Sequence, residues 1–170
     1  MQNAALVGFF RELADAEEAV GNTTGAIDLR SLSNSMVPAI NKYLWSEDEG
    51  DHYVTQRGVV DGAIRDFVDY DANLMALAFG VVPDDRVDLV FNRVDSGKCT
   101  HGRATWVSEK YYGPDDTTNG NIGDSYCSMG RIGWFDALAR RRYGALEVFD
   151  DLILNPLRDA LNRYTWLHER

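Results

Sequence analysis

The chain has 170 residues, which is enough for one domain with a sizeable hydrophobic core. Hydrophobic residues make up 45% and charged residues 26%, which is the balance of an ordinary globular protein. The formal net charge of −10 argues against nucleic acids and anionic membranes as partners. The one basic run, Arg140 to Arg142, is interpreted as a solvated helix C-terminus that complements the helix dipole.

No targeting or membrane-spanning segment is evident in the sequence. Met1 to Phe10 has neither the basic start nor the long apolar stretch of a signal peptide. No run approaches the roughly 20 apolar residues that a membrane span needs. We expect a soluble chain whose compartment the sequence does not identify. Cys99 and Cys127 match no metal-binding spacing, and both a disulfide and two reduced thiols stay open for them.

The first part of the chain predicts a helical hairpin followed by an extended turn. Apolar residues recur at helical spacing over Ala4–Val20 and over Ala26–Leu44. Pro38 lies inside the second pattern and predicts a kink or a break near Val37. An acidic turn at residues 45–50 ends this pattern, and His52–Thr55 favours a short extended piece.

Two more hairpins complete the predicted architecture. The second pairs a helix over Tyr70–Phe79, ended by Gly80, with a helix that opens at Pro83 and ends at Ser96. A long loop over Ser96–Asp124 leads to the third hairpin. Its two helices are predicted over Ser125–Tyr143 and Ala145–Leu167, with Pro156 kinking the latter. The sum is an all-α single domain over residues 1–170.

Four stretches carry a resemblance to a known family. They are Ala39–Trp45 with Tyr53–Val54, Asp69–Leu74, Asn121–Ser125 with Gly130–Trp134, and Thr165–Arg170. The first resembles the outer-helix end and turn of six-hairpin, or (α/α)6-barrel, glycosidases. The other three resemble the openings of inner helices in that family.

The resemblance implies that inner and outer helices alternate and that substrate binds in a funnel where the inner helices begin. Twelve helices with their connections need roughly 300 residues or more, and only six are predicted here. We therefore expect three hairpins forming about half of an (α/α)6 toroid, as a fragment of a larger catalytic domain. The missing hairpins of that domain, or self-association, would cover the open faces.

The resemblance directs attention to carboxylates near aromatic residues, because glycoside cleavage usually uses two carboxyl groups. Glu109 is the leading catalytic candidate, since Trp106, Tyr111 and Tyr112 lie beside it in the long loop and aromatic faces suit sugar rings. A loop glutamate paired with Lys110 or Arg103 is the competing interpretation.

Two helix starts supply the remaining candidates. Asp71 and Asp124 are proposed as catalytic carboxylates, although N-capping and dipole complementarity also account for both. The other candidates are expected to bind substrate. They are Asp69, Tyr70, Asn121 and Arg131, together with the aromatic residues of the long loop.

No metal or cofactor is expected. His52, His101 and His168 show no zinc-ligand spacing. The Asp115–Gly120 run departs from an EF-hand, because Thr117 is a poor third-position ligand and Tyr126 replaces the bidentate glutamate. A looser calcium site stays open, beside the interpretation of this run as a turn.

Glycoside hydrolysis is the leading function, with two alternatives. A glycoside phosphorylase or sugar epimerase would use the same fold, and Arg103 and Arg131 are the obvious suppliers of an anion site for a phosphorylase. A non-catalytic carbohydrate-binding or helical interaction module is the third interpretation, because half a toroid exposes apolar helix faces.

Overall fold

A computed structural model describes residues 2–48, 50–65, 70–96, 130–150 and 154. Within these ranges the chain is mostly helical, which confirms the predicted all-α class. The longer helices of the described ranges are α1 (Gln2–Ala19), α2 (Thr23–Tyr43), α3 (Tyr70–Ala78), α4 (Val87–Ser96) and α5 (Gly130–Arg142). Residues 146–150 are also helical, and a 3-10 turn over Asp84–Arg86 leads into α4. Of these helices, none combines the length and hydropathy that crossing a bilayer requires.

Two short antiparallel ribbons lie between α2 and α3. The first pairs β1 (Trp45–Ser46) with β2 (His52–Tyr53), and the expected extended piece at His52 is therefore confirmed. The second pairs β3 (Gln56–Arg57) with β4 (Ile64–Arg65) and was not anticipated from the sequence. The turn of the second ribbon presents two consecutive exposed valines, Val59 and Val60.

The first hairpin, α1 and α2, begins its second helix earlier than predicted. Asn22 caps α2 through its side-chain oxygen, which accepts a hydrogen bond from the Gly25 amide at 3.1 Å. Of the kink or break expected near Val37, the break is wrong, because α2 continues through Pro38 to Tyr43, and the kink stays a prediction. Pro38 and Asn34 both lie on the exposed side of α2, so the carbonyl that the proline leaves without a partner faces water.

The third helix is the centre of the described core. Every residue of α3 except Met75 is buried, and α3 contacts α1, α4, α5 and β2. Leu74 and Leu77 have no exposed surface at all. By contrast, α4 buries one face, formed by Val87, Val90, Phe91 and Val94, and exposes the other. A helix that is buried on every side must have its polar ends satisfied by other protein groups.

The C-terminal end of α3 is closed by its own backbone and by two arginines. Gly80 adopts a positive φ of 63°, and the Gly80 and Val81 amides donate to the Leu77 and Ala76 carbonyls at 3.0 and 2.9 Å. Arg142 Nε then donates to the Ala78 carbonyl at 3.0 Å. Arg11 Nη1 donates to the Phe79 carbonyl at 2.5 Å. The role predicted for Gly80 as the helix terminator is confirmed.

The interpretation of Arg140 to Arg142 as a solvated run is wrong for Arg140. Its side chain is 6% exposed and forms ion pairs with Asp95 on α4 and with Asp136 on its own helix, the latter at 3.1 Å. Its guanidinium also stacks over the Phe91 ring, 4.0 Å from the ring centre. Arg140 therefore contacts α4 and Arg142 contacts α3, whereas Arg141 is exposed as predicted.

We expect Leu74→Ala to lower the free energy of unfolding by about 2 to 5 kcal/mol, because it opens a cavity in a helix that is packed on every side. Urea denaturation followed by circular dichroism measures the change. Val60→Ala is the matched control and is expected to change stability by less than about 0.5 kcal/mol, since Val60 is fully exposed. An equal decrease in the free energy of unfolding for the two variants would contradict the central position of α3.

Candidate functional site

A network of polar side chains lies where the first ribbon meets the first half of α3. Asn73, fully buried in the first half of α3, accepts a hydrogen bond from the Tyr53 amide at 2.8 Å and donates one to the Tyr53 carbonyl at 3.1 Å. One side chain therefore continues the ribbon's hydrogen bonding and fixes β2 against the helix. His52, also fully buried, is the neighbouring residue of that strand.

The hydrogen-bond network continues from Tyr53 to α2. Its hydroxyl donates to Asn41 Oδ1 at 2.6 Å, and Asn41 Nδ2 donates to the Val81 and Val37 carbonyls at 2.8 and 3.0 Å. Asn41 thus joins the second helix to the segment that follows α3. The ribbon, α2 and both ends of α3 are held by this single chain of amide and phenol groups.

An aromatic and cationic cluster covers the network. The Trp45 and Tyr53 rings meet edge to face, with their centres 5.3 Å apart. The Arg86 guanidinium lies over Trp45, 4.5 Å from the ring centre. Burial raises the pKa of the Tyr53 hydroxyl, and the charge of Arg86 offsets only part of that effect. The phenol is therefore a neutral hydrogen-bond donor at physiological pH rather than an acid-base group.

Two predicted site residues fall at the start of α3. Tyr70 and Asp71 occupy its first turn, and their exposed fractions are 3% and 0%. Asp71 therefore contacts other protein groups rather than solvent, which suits a residue that positions neighbouring groups. Arg131 lies in the first turn of α5, and its side chain is outside the described part of the protein.

The remaining predicted site residues lie outside the described residues. They are Asp69, Trp106, Glu109, Tyr111, Tyr112, Asn121 and Asp124. Their assigned roles stay predictions. The same holds for Cys99 and Cys127, and for the Asp115–Gly120 run. Among the residues that are described, no three potential metal ligands come together.

Sequence reasoning assigned no site role to Asn41, His52, Tyr53 or Asn73, which form or adjoin the observed network. A usable signal did exist for Asn73, because it is a polar residue within the otherwise apolar run Ala72–Ala78. A buried amide in such a helix must find partners, and extended backbone beside the helix supplies them. The partner strand itself could not be identified without the tertiary structure.

The chain matches no protein-family model, and no curated protein matches it at a significant level.

We expect Asn73→Ala to lower the free energy of unfolding by about 2 to 4 kcal/mol, because it leaves the buried Tyr53 amide and carbonyl without their partners. Chemical denaturation measures this loss. Asn34→Ala on the exposed side of α2 is the control and is expected to be close to neutral. A similarly small effect at Asn73 would contradict the bridging role.

The raised pKa of Tyr53 predicts a loss of stability in alkali. The ordinary tyrosine pKa is 10.0, so the stabilisation is complete below about pH 10 and decreases as pH rises further, because the unfolded chain releases the proton first. We expect Tyr53→Phe to reduce this alkaline loss, measured by urea unfolding at about pH 8 to 11. Tyr43→Phe, at a residue 54% exposed, is the matched control. Identical pH profiles for both variants would refute the assignment.

Proposed function

We propose that this chain contributes three helical hairpins to an (α/α)6 carbohydrate-active toroid and takes part in glycoside hydrolysis through carboxylate acid/base chemistry. The observation that carries the proposal is the order of helix contacts. Among the described helices, α1 contacts α3 and α3 contacts α5, whereas α2 packs on α1 and α4 packs on α3. That order is the one expected if α1, α3 and α5 are inner helices and α2 and α4 are outer ones, and it supports the proposal.

Burial supports the same alternation. The proposed inner helix α3 is enclosed on all sides, whereas the proposed outer helix α4 is amphipathic. The C-terminal ends of α3 and α5 are also adjacent, since Arg142 Nε contacts the Ala78 carbonyl. Adjacent C-terminal ends support a parallel course of α3 and α5, which a shared funnel requires so that their first turns lie on one side.

In this arrangement Tyr70 and Asp71 mark the funnel end of α3, and Arg131 marks that of α5. The Asn73 and Tyr53 bridge holds the first ribbon against that end of α3. Because Asp71 is fully buried, we assign it to positioning neighbouring groups. Glu109 and Asp124 are the proposed proton-transfer carboxylates.

A second candidate is carbohydrate binding without cleavage, which the exposure of Trp134 favours. Trp134 lies in the second turn of α5 and its side chain is 57% exposed, which is unusual for so large an apolar group. An exposed indole offers a flat face to the C–H groups of a pyranose ring. The same residue would serve as a sugar platform in either function.

We expect the 170-residue chain alone to bind oligosaccharides but to hydrolyse aryl glycosides weakly or not at all, because the six predicted helices make up half of a toroid. A glycan array and a panel of nitrophenyl glycosides measure the two activities. Trp134→Ala is expected to weaken binding about tenfold. Phe9→Ala is the matched control, since Phe9 is a similarly exposed aromatic residue on α1.

The outcomes separate the two candidates. Strong turnover that Glu109→Gln abolishes and Glu47→Gln preserves would establish hydrolysis and contradict the expected incompleteness of the chain. Binding without turnover in a longer polypeptide with all its hairpins would favour the non-catalytic module. Neither binding nor turnover across both panels would reject the carbohydrate proposal.

A further inference from the structure

The C-terminal end of α3 faces a groove that gathers three arginines of this strongly acidic chain. The groove lies between α1, α3 and α5 and has a volume of about 640 Å³. Its cationic lining consists of Arg11, Arg141 and Arg142, and Glu12 and Asp15 are its acidic members. With a net charge of −10, the chain would be expected to pair such a cluster with its own carboxylates.

That internal pairing does not occur among the described residues. Asp15 forms its ion pair with Arg30 at 2.7 Å, outside the arginine cluster. Within the described ranges, Arg11, Arg141 and Arg142 have no carboxylate partner at ion-pair distance. Three guanidinium groups therefore line one groove without an ion pair to any carboxylate in the described part of the chain.

Two of these groups converge on a single glycine. A Cβ atom at Gly80 would lie 2.7 Å from Arg142 Nη1 and 3.4 Å from Arg11 Nη1. Burial, and secondly the nearby positive charge of Arg142, lower the pKa of Arg11, so both disfavour its charged form. A bound anion would offset that effect.

Capping the helix uses only part of the donor capacity of these side chains. In contacts with the described residues, Arg11 donates through Nη1 alone and Arg142 through Nε alone, while Arg141 has no hydrogen bond. Each guanidinium carries five N–H donors in a planar fork that matches the oxygens of a phosphate group. The hydrogen bonds to the Phe79 and Ala78 carbonyls hold the guanidinium groups of Arg11 and Arg142 beside the groove.

We propose that this groove binds a multivalent oxyanion of the phosphate class, held by Arg11, Arg141 and Arg142. Several converging cations favour a doubly charged anion over a single carboxylate. The ligand is either free inorganic phosphate or the phosphate group of an ester. Because the groove lies at the opposite end of α3 from Tyr70 and Asp71, this inference does not depend on the proposed carbohydrate chemistry.

The test is a titration of the full chain with inorganic phosphate at constant ionic strength, followed by the NMR signals of backbone amides and arginine Nε groups. We expect saturable shifts at Arg11, Gly80 and Arg142. Arg141→Ala is the informative variant, because this side chain lines the groove without capping α3 and its loss should leave the fold intact. It should raise the Kd for phosphate about tenfold.

Lys42→Ala is the charge-matched control and should leave the Kd unchanged, since Lys42 lies on α2 outside the groove. Absence of saturable shifts up to about 20 mM phosphate would overturn the proposal. Equal weakening by Lys42→Ala and Arg141→Ala would also overturn it, because the effect would then be one of net charge. Tighter binding of a hexose phosphate than of inorganic phosphate identifies an ester as the ligand, and equal binding identifies free phosphate.

Discussion

Complete burial of a short helix is the constraint on which the described structure depends. α3 has only nine residues, yet it contacts α1, α4, α5 and β2 and exposes almost none of its surface. A buried helix leaves amides at its start and carbonyls at its end without partners inside the helix. Groups from distant parts of the chain must therefore reach it, and those groups determine how the hairpins pack.

The two ends of α3 are joined to the rest of the chain by different chemistry. Near the start, a neutral amide, Asn73, bridges the backbone of Tyr53 and brings the ribbon into the core. At the other end, a glycine turn satisfies two carbonyls, and Arg11 and Arg142 reach the next ones. The polar contacts of Asn73 near the start of α3 involve no charged group. At the C-terminal end, the guanidinium groups of Arg11 and Arg142 lie beside a groove that an anion from solvent can enter. This difference separates the proposed carbohydrate funnel from the proposed oxyanion groove.

The helix arrangement and the proposed chemistry rest on different parts of the protein. The proposed alternation of inner and outer helices rests on the contacts of α3 with α1 and α5, all within the described residues. The carboxylates proposed to transfer protons, Glu109 and Asp124, belong to the loop predicted over Ser96–Asp124 and lie outside the described ranges. Asp71 is fully buried, which illustrates that a carboxylate at a helix start is weak evidence for a catalytic role. Such a residue serves packing and capping as readily as catalysis.

Periodicity in the sequence was sufficient to predict the helical class, the α1–α2 and α3–α4 pairs, and the helix stop at Gly80. These features depend on local chemistry, because apolar spacing and a glycine at positive φ act within a few residues. The long-range partners could not be predicted in this way. Asn73 with Tyr53, and Arg140 with Asp95, join residues far apart in sequence whose meeting depends on how the hairpins pack. The sequence alone therefore determined which segments become helices, and only the tertiary structure decided which polar side chains those helices bury, because the free energy of a buried polar group depends on partners that no local pattern specifies.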